Sequence, residues 1–261
     1  MPFQFLGTSG AIPSAARDNT ALAFYSSEEV VLVDCPGSPY QKILKANLDP
    51  MRVSSLIITH RHVDHLYGIP SLAHNMGLAG RHSTLHVYAL AESMPILRGF
   101  LDLFPLEEKM PYRIELHEIP PKEGHQVLQT KGLRIRSTPV VHGAPNIALL
   151  VEFDLPSERG VVVYSSDTSP CPSLLALARG ANILIHEATF PHSDASRAAS
   201  DGHTTGYQAG EVAKQAGVKR LILCHFVASL HDQLEELRRE ALQSFSGPVE
   251  IPEEFREYRT P

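Results

Sequence analysis

The sequence predicts an α/β protein, and three observations carry that expectation. The first half breaks into short apolar and aromatic runs, Phe3 to Leu6, Ala21 to Tyr25 and Val30 to Asp34, separated by Gly, Ser, Pro and Asn in the manner of strands joined by tight turns. The second half alternates buried-strand runs with helical patterns. The predicted strands end, in turn, in His60/His62/Asp64/His65, His142, Asp167, His186/Glu187 and His225, so these side chains can converge at one edge of the sheets.

With 261 residues, 43% of them hydrophobic, the chain can bury a sizeable core, and no Pro/Gly/Ser-rich linker, charge block or repeat divides it. One domain spanning residues 1–261 is expected. No apolar run approaches a membrane span and the Met1-Pro2-Phe3-Gln4-Phe5 start lacks a basic signal, so a soluble, cytoplasmic protein is expected. Cys35, Cys171 and Cys224 are widely spaced without a Cys-x-x-Cys, which argues against a disulfide framework and a thiolate zinc site and reads as small buried residues. A formal net charge of -6 provides no global basic field, which disfavours an extended nucleic-acid surface. The compositional anomaly is fourteen histidines.

In chain order, the loop Leu6 to Ser14 is small and uncharged; it reads as a tight connection or as a loop thin enough to offer backbone N–H groups to an anion. Asp34 ends a strand and is either an acceptor that orients a ligating imidazole or a turn carboxylate before Pro36-Gly37. Leu56-Ile57-Ile58 is a strand that delivers Thr59-His60-Arg61-His62-Val63-Asp64-His65 to a turn, and Leu66, Ile69, Leu72 and Met76 continue it as a helix. Leu85 to Ala89 reads as a strand and Pro95 to Phe104 as an amphipathic helix. Residues 111 to 153 are strand-rich, with Leu133 to Thr138 alternating and leading to His142. Gly160 to Tyr164 is a buried strand ending in Ser165-Ser166-Asp167-Thr168, and a helix follows over Ser173 to Arg179. Ile183-Leu184-Ile185 precedes His186-Glu187-Ala188-Thr189. Thr205 and Gln208 form a capping box for a helix running to Gly217. Leu221 to Cys224 is the last clear strand, and Ser229 and Asp232 are expected to cap a final helix of about fifteen residues.

The His-x-His-x-Asp-His turn is the strongest chemical signal. Three imidazoles and a carboxylate crowded into one turn repel or compete unless a cation gathers them. Imidazoles and carboxylates without thiolates suit zinc or manganese.

Together these residues resemble the metallo-β-lactamase superfamily, and within it the ribonuclease Z-like branch. The resemblance runs from about residue 6 to 225 and rests on Leu6-Gly7-Thr8 with Pro13-Ser14, the His60 to His65 motif, His142, Ser166-Asp167-Thr168, His186-Glu187-Ala188-Thr189-Phe190, His203-Thr204-Thr205 and His225-Phe226. It implies a four-layer αββα sandwich holding two divalent metals, most simply Zn2+, with Mn2+ as the alternative. By the same resemblance His60, His62 and His142 bind one metal, Asp64, His65 and His225 the other, and Asp167 bridges them. Asp64 thereby belongs to the catalytic set as well. A hydroxide held between the metals is the implied nucleophile on a phosphodiester. His203 resembles the branch's catalytic histidine and is the candidate general acid, with Glu187 orienting it. His186 reads as a packing or supporting residue, and His74, His82, His86, His117, His125, His192 and His231 as surface or structural ones.

The chain departs from the branch in one respect that bears on substrate. Members that process tRNA carry a long flexible arm, commonly between the positions of His142 and Asp167, and here a strand, a short Asp154-Leu155-Pro156-Ser157 turn and another strand occupy that interval. Val227 to Leu230 lacks the Arg-Tyr pair often seen after the last ligand, and Pro252-Glu253-Glu254 departs from the branch's usual ending. Arg81, Arg98 and Lys109 read either as a modest basic patch near the site or, equally well, as a solvated face. The expected activity is hydrolysis of a small phosphodiester or an RNA end, without an extended nucleic-acid surface or a membrane and with room for a homodimer. The alternatives are a tRNA 3′-processing endoribonuclease, an arylsulfatase- or lactonase-like hydrolase, and a non-catalytic metal-binding accessory or carrier.

Overall fold

Alternation along the strands sets the architecture. In a computed structural model describing residues 2–155 and 158–260, the first sheet contains β1 (Pro2–Gly7), β2 (Ala21–Tyr25), β3 (Val30–Val33), β4 (Val53–Ile58), β5 (Leu85–Leu90) and β6 (Ile114–Ile119). Leu22, Phe24, Val31 and Val33 face inward between the sheets, whereas Ala21, Ala23, Val30 and Leu32 face outward toward helices. Strands buried on both faces read as continuous apolar runs.

The second sheet contains β7 (His125–Gln129), β8 (Leu133–Val140), β9 (Asn146–Leu155), β10 (Glu158–Tyr164), β11 (Ile183–Glu187), β12 (Arg220–Cys224) and β13 (Val249–Glu250); β14 (Glu257–Arg259) returns to pair with β1. The orders are β14-β1-β2-β3-β4-β5-β6 and β13-β12-β11-β10-β9-β8-β7. Both sheets are mixed. Pairing is parallel from β3 to β6 and from β10 to β13, so in each half consecutive strands deliver their C-terminal ends to the same edge.

Helices complete the outer layers. Ile43 of α1 (Pro39–Lys45), Leu66 of α2 (Val63–Leu66), Leu72 and Met76 of α3 (Ile69–Leu78), Leu97 and Leu101 of α4 (Met94–Leu103) and Leu106 of α5 (Leu106–Lys109) pack on the first sheet. Leu174 of α6 (Pro172–Ala178) packs on the second, α7 (Ala195–Asp201) follows, and Ala209 and Ala213 of α8 (Gly206–Ala216) and Leu237 and Ala241 of α9 (Leu234–Ser244) join α6 there. The cores beneath the two helical layers and between the sheets make the four layers of an αββα sandwich.

The structure corrects several element expectations. The helix after the metal turn breaks at Tyr67-Gly68 into α2 and α3, because Pro70 lies in the first turn of α3 and lacks the N–H a continuous helix needs. The final helix is shorter than expected: Ala228–Leu230 forms a 3₁₀ turn, and α9 starts after Gln233 with no side-chain cap from Ser229 or Asp232. Strands β13 and β14 follow the run expected to be last. The turn expected at Asp154 to Ser157 falls partly on Pro156 and Ser157, outside the described residues. The Thr205/Gln208 capping box forms with both reciprocal hydrogen bonds, and Gly217 closes α8 with φ 64°.

Candidate metal centre and active site

Strands from both sheets that end at the common edge hand groups to a single cluster. Thr59 to His65 follow β4, His142 follows β8, Asp167 follows β10, and His225 follows β12. Asp34, Ser166 and His225 adopt positive φ of 62°, 52° and 58°, conformations that cost non-glycine residues energy and that turn these chain segments sharply at the strand ends.

The contacts are close. His62 Nδ1 lies 3.0 Å from His60 Nε2 and 3.1 Å from His142 Nε2. Asp167 Oδ2 lies 3.1 Å from His225 Nε2, 3.3 Å from His65 Nε2 and 3.8 Å from His60 Nε2. Asp64 Oδ2 is 3.5 Å from His65 Nε2 and 4.0 Å from His225 Nε2. His60/His62/His142 and Asp64/His65/His225 thus form two groups of ligand atoms, and Asp167 lies between them.

The outer nitrogens fix the orientation of four of these rings. The Thr59 hydroxyl donates to Asp34 and so accepts from His60 Nδ1 at 3.1 Å. His65 Nδ1 donates to Asp34 Oδ2 at 2.8 Å, and His142 Nδ1 to the Gly202 carbonyl at 2.9 Å. Thr189 donates to Glu187 Oε2 at 2.6 Å and accepts from His225 Nδ1 at 2.9 Å. With each Nδ1 carrying the hydrogen, each Nε2 turns a lone pair into the cluster. Lone pairs aimed at one another and at a carboxylate need a cation. His65 Nε2, His225 Nε2 and Asp167 Oδ1 are buried without a hydrogen-bond partner, so the donor set fits divalent metal ions.

The electrostatics follow the same logic. Burial, and then His65, hold His60 well below the usual imidazole range; burial, and then His142, lower His62. Burial alone would raise Asp167, but His225 and His65 hold its carboxyl well below the usual range. Burial likewise opposes the charged form of His65, yet Asp167 and Asp34 raise it well above 6.5. The same carboxylates that favour positive charge on His65 would favour a cation held between it and Asp167.

Beside the cluster, His203 Nδ1 lies 2.8 Å from Glu187 Oε1. Glu187 is fully buried and also accepts from the Thr168, Thr189 and Thr204 backbone N–H groups. Burial would raise Glu187, but the His203 charge lowers it; burial would lower His203, but Glu187 pushes it up to about 9. The His203 ring packs at 4.9 Å from His142 and 5.4 Å from His225, centroid to centroid.

A family model described as the Beta-lactamase superfamily domain matches residues 30–226. The chain belongs to the metallo-β-lactamase superfamily. Within it, the chain is 32% identical to a Ribonuclease Z of Methanothermobacter thermautotrophicus over 94% of this chain and 92% of that protein, and 29% identical to one of Myxococcus xanthus over 95% and 94%. These place it in the ribonuclease Z-like branch, a group of hydrolases. Its fold is that of the metallo-β-lactamase fold protein YhfI from Bacillus subtilis (TM-score 0.83, 23% identity, 98% of both chains) and of the short form of human tRNase Z (TM-score 0.81, 23% identity, 100% of both).

The structure brings His60, His62, Asp64, His65, His142, Asp167 and His225 together, with His203 and Glu187 beside them. Asp34 takes the role of orienting an imidazole. His186 is buried, in keeping with a packing residue, and its Nδ1 bonds the Glu187 carbonyl at 2.8 Å. Arg81 belongs to no basic patch: it is buried, donates to the Ser83 and Thr84 carbonyls and stacks over Tyr112. The Leu6 to Ser14 loop reaches the site, where a Cβ on Gly10 would meet the His225 ring at 3.3 Å. Its Thr8, Ser9 and Gly10 N–H groups are already bonded to Asp18 and Phe226 carbonyls. Sequence reading missed Thr189, which couples Glu187 to His225, and the Gly202 carbonyl. Thr189 lies two residues after Glu187 at a strand end, a signal that could have singled it out.

Proposed function

We propose that this chain is a ribonuclease Z-like phosphodiesterase that cleaves RNA or a small phosphodiester at a dinuclear centre, with zinc as its metal. His60, His62 and His142 would hold one ion and Asp64, His65 and His225 the other, with Asp167 placed to contact both. The observation that carries the reading is the inward turn of four imidazole lone pairs, each fixed by a hydrogen bond on the opposite ring nitrogen. When bound, two divalent cations supply Lewis-acid charge to a phosphoryl group and activate water as nucleophile at neutral pH.

The chain's own residues do the rest. Asp34, Thr59, Thr189 and the Gly202 carbonyl keep the ligand rings aligned before substrate arrives. Glu187, saturated by backbone and hydroxyl donors, binds His203 through Nδ1 and leaves Nε2 to give a proton to the departing alkoxide. Val63 and Tyr67, in and just after the helix that carries Asp64 and His65, join Phe100, Leu103 and Phe104 around a cavity of about 680 Å³, a surface on which a nucleobase can stack. The expected lack of an extended nucleic-acid surface finds no support, since the Ribonuclease Z relatives match the chain over nearly its full length. A dyad beside the cluster, for which a carrier has no use, favours turnover over a non-catalytic role.

His203→Ala and Glu187→Gln test the proton-donor role. Both variants retain bound metal and lose roughly 10²- to 10⁴-fold in rate on esters with alkoxide leaving groups, while p-nitrophenyl esters, which leave without a proton, lose far less. Equal slowing of both ester classes would remove His203 as the acid.

A further inference from the structure

A second convergence of metal-capable side chains lies away from the catalytic cluster, on the edge of the first sheet. The parallel register sets His86 of β5 opposite Glu115 of β6, and Tyr88 opposite His117. Leu85, Val87 and Ile114 point toward the outer helices, so alternation sends His86, Glu115 and His117 together to the other face. There His86 Nδ1 lies 3.0 Å from His117 Nε2 and 3.4 Å from Glu115 Oε2, and His117 Nε2 lies 3.9 Å from the same oxygen. A circle through these three atoms has a radius of about 2.0 Å, which is the length of a zinc–imidazole or zinc–carboxylate bond. One point near their plane therefore satisfies all three ligands at bonding distance.

We propose that His86, Glu115 and His117 form a mononuclear site for a divalent transition cation of the zinc class, separate from the catalytic centre. Two imidazoles and a carboxylate match the ligand preferences of zinc. The His117 ring lies against Tyr88, with centroids 4.7 Å apart and planes at 20°, which holds it in the ligating orientation. The side chains are 37–46% exposed, so water completes the coordination and the ion has an open entry path. Polar side chains on an edge strand also discourage unwanted pairing, but that role does not require three ligand-capable atoms to gather within 3.9 Å of one another. β6 ends the sheet, and an ion bridging it to β5 fastens the strand with the least support. In register, Ser55 faces His86 while His60 lies beyond the end of β4, which puts the two sites roughly 15 Å apart along the strands.

The test compares zinc bound per chain, after equilibration at micromolar free zinc and removal of excess, in the full-length protein, in a His86→Ala/His117→Ala double variant and in Glu115→Gln. The double variant is expected to hold one zinc fewer than wild type, with unchanged phosphodiesterase turnover. Glu115→Gln, nearly isosteric and partly exposed, is expected to bind that ion at least about tenfold more weakly. Zinc added after partial stripping should raise the unfolding temperature of wild type more than that of the double variant. Because the readout is a difference between chains sharing one catalytic cluster, it does not depend on how many ions that cluster holds or on what it hydrolyses. Equal zinc content in wild type and both variants would overturn the proposal.

Discussion

Asp34 shows at the scale of single residues how support outside the cluster governs the cluster. It has no exposed surface to speak of and accepts from Thr59 N, Thr59 Oγ1 and His65 Nδ1. Burial pushes its carboxyl up, and the His65 charge and these hydrogen bonds work in the opposite direction. Asp34→Asn keeps the shape but removes the charge that makes His65 a strong ligand, so metal affinity should fall about 10- to 100-fold in a chelator competition. Unchanged affinity would show that the ring is held by packing alone. Tyr112 provides a pH test outside the active site. Its hydroxyl donates to the Ala73 carbonyl at 2.8 Å, and burial, partly opposed by Arg81, pushes its pKa up to about 12. The folded value exceeds the ordinary 10, so this contribution to stability is complete below pH 10 and is lost as pH rises through 12. Tyr112→Phe should cost about 1 kcal/mol near neutral pH and flatten that alkaline decline in urea unfolding; a decline as steep as wild type would assign it to other groups.

At the scale of elements, the break between α2 and α3 is what aims Asp64 and His65. Gly68 N donates to the Cys35 carbonyl at 2.8 Å, and a Cβ on Gly68 would sit 2.6 Å from that oxygen and 2.9 Å from the Gly37 carbonyl. Backbone on both sides cannot yield, so Gly68→Ala should destabilise the protein by about 1–3 kcal/mol and displace the metal turn. The check is denaturant unfolding together with metal content; a variant as stable and as metal-loaded as wild type would mean that the turn tolerates the shift. Elements of this kind mark the limit of what the sequence shows. The His60 to His65 turn, the strand-end acids and histidines, and the Thr205/Gln208 box are local patterns whose chemistry is complete within a few residues. β13 and β14 are two and three residues long and exist only because longer strands offer them partners, so no periodicity announces them. Arg81 reads as surface charge until tertiary contacts supply its carbonyl acceptors. The meeting of His86 with His117 is set by the β5–β6 register, which no motif spans.

At the scale of the whole molecule, the two sheets bring the C-terminal ends of their parallel strands to one edge, with the core between the sheets and helices on the outer faces. Ligands from β4 in one sheet and from β8, β10 and β12 in the other meet only when the sandwich is closed, so the centre and the fold depend on each other. No helix among the described residues is long and apolar enough to cross a membrane. In the proposed centre seven convergent side chains assemble around one phosphodiester-cleaving site, and Asp167, which lies within 3.8 Å of imidazole nitrogens from both groups, is its keystone. The most direct measurement is cleavage of a 3′-extended precursor tRNA and of bis(p-nitrophenyl) phosphate by zinc-loaded wild type and Asp167→Ala. Cleavage of at least one of them by wild type, reduced about a thousandfold or more in the variant, is the predicted result. Cleavage of neither by wild type, or undiminished cleavage by Asp167→Ala, would contradict it.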